Sequence, residues 1–353
     1  MKPARRAHTN WWQRLFGASF LAGVIALQLY GATEIEAWVA SLWRKTITIP
    51  RTPAFQNSLI PKDCLTLGMY RPELPLQYNG FYSVSKKLNA LPKIISWYQA
   101  WGESDEHQFR EKVVSDVGKK GFIPMITWEP WLSEFSRNNG AEPNGGLREI
   151  ANGNYDSYIR SWARGVVNTR VPILIRWGHE MSNPWYSWSA GFENSPKDYI
   201  EAWKHVRKIF REEGAVNASF VWTPYLPSDS VYYPGDAEVD WIGLDIFNFG
   251  TVSENGKWLD FYASTKFLYD AFHQIDKPFL ITEIATSDFG GNPAEWWKEA
   301  ILDLRRKKFP KIRGLVFFDT PHGISPTGLP INWSLESHSE IQKLIRSALA
   351  ERI

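Results

Sequence analysis

The sequence predicts a (β/α)8 barrel preceded by a single N-terminal membrane-spanning helix. Three observations predict it. Short apolar runs alternate with amphipathic stretches eight times between residues 63 and 353. Charged and aromatic residues gather just after the apolar runs, as they do where parallel strands share a functional face. A basic opening, MKPARRAHTN, leads through Arg14 into residues 15–32, which carry no charge.

The start of the chain divides into a basic cytoplasmic tail (1–14), a signal-anchor span (15–32) and a proline-bearing tether (33–62) with Pro50, Pro53 and Pro61. Residues 15–32 include only Gln28 as a strongly polar residue and match a minimal span. Lys2, Arg5 and Arg6 before it hold the N-terminus inside, so the rest faces out. Tyr30 spoils a small-x-small cleavage site ending at Ala32, which favours an uncleaved anchor. Secretion after cleavage is the alternative.

The barrel units follow in order. Strand one is Leu65 to Tyr70, and its helix presents Val84, Leu88 and Leu91. Strand two is Ile94 to Trp97; a helix opening at Ser104 or Asp105 carries Phe109, Val113 and Val117. Strand three, Phe122 to Thr127, runs into WEPW, and a long polar loop from Ser133 to Gly153 precedes a helix with Tyr158, Ile159, Trp162 and Val166. Strand four is Pro172 to Arg176, and Ser195-Pro196 announces its helix as cap and first turn. Strands five (Ser219 to Thr223) and six (Asp240 to Ile246) lie so close in sequence that the fifth helix is short or absent. A helix from Phe261 to Ile275 leads to strand seven, PFLITEI. Trp297, Ile301 and Leu304 mark the seventh helix, Gly314 to Phe318 the eighth strand, and Ile341, Leu344 and Ile345 the last helix. An open doubly wound sheet fits less well, because strand one leads into RPELP and not into a glycine-rich phosphate loop.

Composition excludes several classes. A net charge of +2 without single-sign runs suggests no nucleic-acid partner. One cysteine, Cys64, rules out an intrachain disulfide and reads as a small core residue. No cofactor motif and no metal-ligand spacing appears: His179 lacks a second His four residues on, where Asn183 stands.

The chemistry concentrates in RWGHEMSNPWYSW, Arg176 to Trp188, at the end of strand four. Glu180 stands there, and Glu283 ends strand seven on the opposite side of the ring. Two carboxyl groups facing each other across a sugar are what glycosidic cleavage requires: one protonates the leaving oxygen, and in retaining enzymes the other attacks the anomeric carbon. Glu180 among Trp177, Trp185 and Trp188 suits the acid, since desolvation raises a carboxyl pKa. Glu283 suits the nucleophile, with Arg176 and His179 as neighbours across the mouth. Arg176 reads either as a barrel-interior ion pair or as a clamp on the nucleophile, and His179 as a partner of the nucleophile or of the sugar. Glu129 and Asp245 end strands three and six at the same face. Trp128, Trp131, Trp185 and Trp188 lie after strands and Trp222 near the end of strand five, where indole faces stack on sugars. Asp288 and Asp319 read as solvated or capping residues.

These residues resemble glycoside hydrolase family 26, the retaining (β/α)8 endo-β-glycanases that include β-mannanases and mixed-linkage β-glucanases. Three motifs carry the resemblance: R-x-x-H-E-M-x-x-x-W from Arg176 to Trp185, YYPGDAEVDWIGLD from Tyr232 to Asp245, and PFLITEIA around Glu283. The resemblance implies that Glu180 is the acid/base, that Glu283 is the nucleophile, and that Arg176, His179, Trp185 and Asp245 line the subsite at the scissile bond. This chain departs from the family twice. Phe247 stands where a tyrosine hydroxyl commonly approaches the nucleophile, and Glu129 where mannanases have His, which looks more like the glucanase branch. The expected partner is a β-linked polysaccharide, a β-glucan or β-mannan, hydrolysed internally outside the cytoplasm. A second reading, kept alive by Phe247, is a weakly active or non-hydrolytic binding accessory of exopolysaccharide synthesis or export machinery.

Overall fold

The computed structural model describes residues 60–352. The expected tail (1–14), span (15–32) and most of the tether lie outside them. Among the described residues no helix is long and apolar enough to cross a membrane.

Eight parallel strands close into one barrel in sequence order. They are β1 (Thr66–Tyr70), β2 (Ile94–Ala100), β3 (Ile123–Glu129), β4 (Ile173–Trp177), β5 (Ala218–Trp222), β6 (Trp241–Asn248), β7 (Phe279–Thr286) and β8 (Ile312–Phe318). Around them run α1 (Asn79–Leu88), α2 (Glu111–Lys119), α3 (Gly146–Ala151), α4 (Asp156–Thr169), α5 (Pro196–Glu212), α6 (Phe261–Phe272), α7 (Pro293–Arg305) and α8 (Ser339–Ala350). A two-stranded hairpin, β9 (Gly323–Ile324) with β10 (Pro330–Ile331), follows β8. The expected barrel is present. Between β5 and β6 there is only a 3₁₀ segment, Pro227–Tyr232, in place of a fifth helix.

Side chains alternate across each strand, so every second residue points into the barrel. The lower interior is apolar: Ile94, Met125, Leu174, Val221, Trp241, Leu280 and Val316 form one buried cluster, closed by Ile60. Burial of such side chains stabilises by roughly 1.5–3 kcal/mol each. Ile60 therefore already belongs to the barrel packing, although the sequence puts it in the tether. One step up each strand the interior turns polar, with Thr127 and Arg176 buried above Met125 and Leu174. Gly243 is required at this level, because a Cβ there would come within 2.1 Å of the Thr223 hydroxyl and 2.9 Å of that of Thr282.

Ser195 caps α5 as expected: its hydroxyl accepts from the Asp198 N–H (3.2 Å), and Asp198 accepts from the Ser195 N–H (2.8 Å). The helix expected from Ser104 begins at Glu111 instead. The Gln99 side-chain amide donates to the carbonyls of Glu106 (3.0 Å) and Gln108 (2.7 Å), and the segment makes only a 3₁₀ turn, Asp105–His107, before α2. Leu91 falls beyond α1 and is exposed. The Ser133–Gly153 loop contains the short helix α3. Cys64 is exposed, not buried, because it precedes β1 rather than lying within it. Asp319 is neither solvated nor merely a cap: it is buried, pairs with Arg71 at 2.5 Å and accepts from the Leu335 N–H, tying the loops after β1 and β8 together.

Candidate active site

The polar upper interior is built around Arg176 on β4. Its guanidinium donates to Asp245 on β6, to Glu283 on β7 and to the Thr127 hydroxyl (3.2 Å), while Nε reaches the Thr223 hydroxyl (3.3 Å). Burial opposes the Arg176 charge, but Asp245 and Glu283 outweigh it and hold the side chain well above its ordinary value. Both sequence readings of Arg176, barrel ion pair and clamp on Glu283, are met by one fork-shaped side chain.

Glu283 reaches the interior through an irregularity. Along β7, Leu280 faces in, and simple alternation would turn Glu283 outward. The pairing with β6 shifts here: Leu244 aligns with Ile281, but Asp245 aligns with Glu283. Thr282 is the extra residue of this bulge. Its hydroxyl donates to Asp245 Oδ1 (2.7 Å), and Glu283 then faces the same interior. Beyond the bulge the parity is reversed, so Ile284 packs outward and Ala285 inward against the cluster around Trp333.

Glu180 lies just past β4 in a left-handed conformation, φ +48°, following Gly178 at φ +50°. Such backbone is uncommon for a residue with a long side chain and is often retained where a side chain must be aimed. The Glu180 N–H donates to the Thr223 carbonyl (2.8 Å), and Asn183 Nδ2 donates to Glu180 Oε2 (2.8 Å). Burial, then the charge of Glu283, pushes the Glu180 carboxyl up. Burial also holds Asp245 well above the usual carboxylate range, against the pull of Arg176. Glu129, at the end of β3, is pushed up to about 7 by burial and accepts from Trp131 Nε1 (3.2 Å).

An open cleft of about 910 Å³ contains Glu180, Glu283, Tyr98, Asn183, Trp185, Tyr186 and Phe247. Trp185 is 79% exposed, an indole face open to a ligand. The other expected indoles are corrected. Trp128 and Trp222 are fully buried because Thr127 and Val221 take the inward positions, which turns the next residue out toward the helices. Trp128 stacks on Trp162 at 4.4 Å, and Trp222 meets Phe272 at 5.3 Å. Trp188 is buried beneath the cleft floor, stacked on Tyr186 at 4.4 Å, with its N–H donated to the His179 carbonyl (2.8 Å). Trp177 also faces outward, against Tyr199. The indole near Glu180 in the cleft is therefore Trp185. His179 does not reach Glu283: its Nε2 shares a hydrogen bond with the Tyr186 hydroxyl (2.9 Å), and burial, then Arg176, holds it well below its ordinary value, hence neutral.

Tyr98 was missed in the sequence. Its hydroxyl donates to the same Glu283 oxygen that Arg176 holds. Burial first, then Glu283, keeps the phenol far above its normal value, so it remains a donor. The signal was available, because Tyr98 stands four residues after inward Ile94 on β2. Phe247 packs against Phe318 (5.3 Å) and Trp333 (5.6 Å), and the hydroxyl that meets Glu283 is that of Tyr98 on β2. Among the described residues no group of His, Cys, Asp and Glu side chains is disposed to hold a metal ion.

Comparison with known proteins gives a family and a fold. The sequence profile described as glycosyl hydrolase family 26 matches residues 142–301. Endoglucanase H of Acetivibrio thermocellus is 31% identical over 278 residues, covering 75% of this chain and 28% of its own length. A mannan endo-1,4-β-mannosidase of Bacillus subtilis is 26% identical over 269 residues, 74% of this chain and 64% of its own. The chain thus spans less than two thirds of the length of these relatives. The catalytic domain of an endo-β-1,4-mannanase from Bacillus sp. JAMB-750 has the same fold, with a TM-score of 0.63 at 14% identity over 85% of this chain and 91% of that one.

Proposed function

The chain belongs to glycosyl hydrolase family 26, and from that premise we propose that it is a retaining endo-β-glycanase, cutting internal bonds of a β-glucan (mixed-linkage or β-1,4) or of a β-mannan. The observation that carries the reading is the asymmetry of the two glutamates in one cleft. Glu283 is held by a guanidinium and a phenol, whereas Glu180 is desolvated and raised. Such a separation of environments supports Glu283 as nucleophile and Glu180 as acid.

In the first step the Glu283 carboxylate attacks the anomeric carbon, the glycosidic C–O bond breaks, and the proton of Glu180 passes to the departing oxygen. In the second, Glu180 takes a proton from water, whose oxygen displaces Glu283 and frees the sugar. Arg176 and Tyr98 aim the attacking carboxylate; the neutral His179 and Tyr186 brace the cleft floor. Trp185 offers a stacking face to a neighbouring sugar. The alkaline limb of kcat/KM reports loss of the Glu180 proton and so stands above the ordinary range of a glutamate. The reading includes tethering through residues 15–32 with the barrel outside the cytoplasm, which rests on the sequence alone. A mature N-terminus between residues 33 and 41 would mean a cleaved signal instead.

The test is product release from mixed-linkage glucan, carboxymethyl cellulose, glucomannan, galactomannan and β-1,3-xylan. Glu180→Ala and Glu283→Ala run beside the unmodified chain. Loss of at least about 10⁴-fold in Glu283→Ala is expected on the polymer that is cut. Full inertness of the unmodified chain with polymer binding intact would favour the binding accessory.

A further inference from the structure

A second cavity, about 310 Å³, shares Tyr98 with the catalytic cleft but not Glu180. Tyr70, Glu73, Gln77, Trp97, Tyr98 and Arg110 contribute to its wall. Tyr98 lines both this cavity and the catalytic cleft, which puts the two next to each other.

Its charge is unusual. The guanidinium of Arg110 has no hydrogen bond or ion pair among the described residues, and its Nε is buried without a partner. The one carboxylate of the wall, Glu73, is already taken by Arg71 at 2.5 Å. Asp319 (2.5 Å) and Glu336 (3.0 Å) fix Arg71 beside Glu73. The Tyr70 phenol, which burial pushes up to about 12, stays a donor. A buried donor without an acceptor is costly, and a planar guanidinium matches a carboxylate in two-point contact.

From this cavity, its position beside the nucleophile's tyrosine and its unpaired guanidinium, we propose a subsite for a sugar unit that carries a carboxylate, as a uronic acid or an acid-substituted hexose does, with Arg110 as the specificity-determining residue. The proposal rests on the glycanase reading for the direction of the bound chain, but the charge argument stands on the cavity itself. The substrate class is thereby narrowed from neutral β-glycan to a β-glycan with acidic units at intervals.

The test measures binding by calorimetry with the full chain. The probes are β-1,4-linked gluco- and manno-hexaoses and the same oligosaccharides oxidised at C6 to the uronate. The oxidised form is expected to bind about tenfold more tightly than its parent, and the preference is expected to vanish in Arg110→Gln and to shrink at roughly 0.5 M salt. Arg110→Lys, which keeps the charge without the planar fork, retains part of it. No preference for the oxidised form, or one that survives Arg110→Gln, overturns the subsite. Hydrolysis of the neutral polymers by the unmodified chain, measured in parallel, reports on the catalytic reading separately.

Discussion

The two ends of the barrel interior are made by the same eight strands and differ in one thing, what the inward positions carry. At the lower end Leu174, Met125, Val221 and Leu280 fill the space without a polar atom. Two residues further along the same strands, Arg176, Thr127, Thr223 and Thr282 replace them and hold two carboxylates in place. The lower end stabilises through area and shape. The upper end holds charges away from water, and it is stable only while every partner is present, because removing one leaves the others buried and uncompensated. The division of labour between the ends of the fold is thus a matter of side-chain chemistry at fixed geometry.

The comparison can be broken most sharply at Arg176. Arg176→Met leaves Asp245 and Glu283 facing each other without a cation; a stability loss of about 3–5 kcal/mol by denaturant melts, with activity abolished, is expected. An unchanged midpoint would mean that the upper network contributes nothing to folding. At the other end, Leu174→Ala is expected to cost about 2–5 kcal/mol yet leave kcat close to that of the parent at low temperature. If kcat falls with stability there, the two ends are not separable.

Tyr98→Phe addresses the upper end alone. It removes one donor to a charged acceptor, about 1.5–3 kcal/mol, hence a kcat lower by roughly 10- to 100-fold with KM little changed. Adding Phe247→Tyr to that variant restores part of the rate if the two positions are alternative sources of one hydroxyl; no recovery would show that the β2 position acts differently. The smallest effect belongs to the indoles. Trp185→Ala is expected to raise KM by roughly 3- to 10-fold, whereas Trp222→Phe, beneath the wall, is expected to leave KM alone and lower the melting temperature.

The barrel was legible because alternating apolar runs and amphipathic stretches are imposed by burial, which local pattern records. Glu180, Glu283, Arg176 and Asp245 were legible because they interrupt those runs at strand ends. The indoles misled for a physical reason: a tryptophan at a strand end faces the ligand or the helices according to parity, and parity depends on a reference residue. With Leu174 and Met125 inward, Trp177 and Trp128 must turn outward, and Tyr98 must turn inward with Ile94. The start of the second helix depends on the Gln99 amide, whose bonds to carbonyls seven and nine residues on are side-chain contacts that apolar periodicity does not record.

The extra residue in β7 has a consequence for how this chain tolerates change. A strand with a phase flip in its middle cannot be slid along its neighbours: a one-step slip would bring apolar side chains to the mouth and carry Glu283 into the wall. Thr282 works as a registration pin, its hydroxyl fastened to Asp245. Deletion of Thr282 itself would leave Glu283 opposite Asp245 by plain alternation and remove the hydroxyl fastened to Asp245, whereas deletion of a neighbouring strand residue with Thr282 kept would shift that phase. The placement of the Glu283 carboxylate is in this sense digital, set by the phase of the strand before it and not by gradual adjustment of its packing.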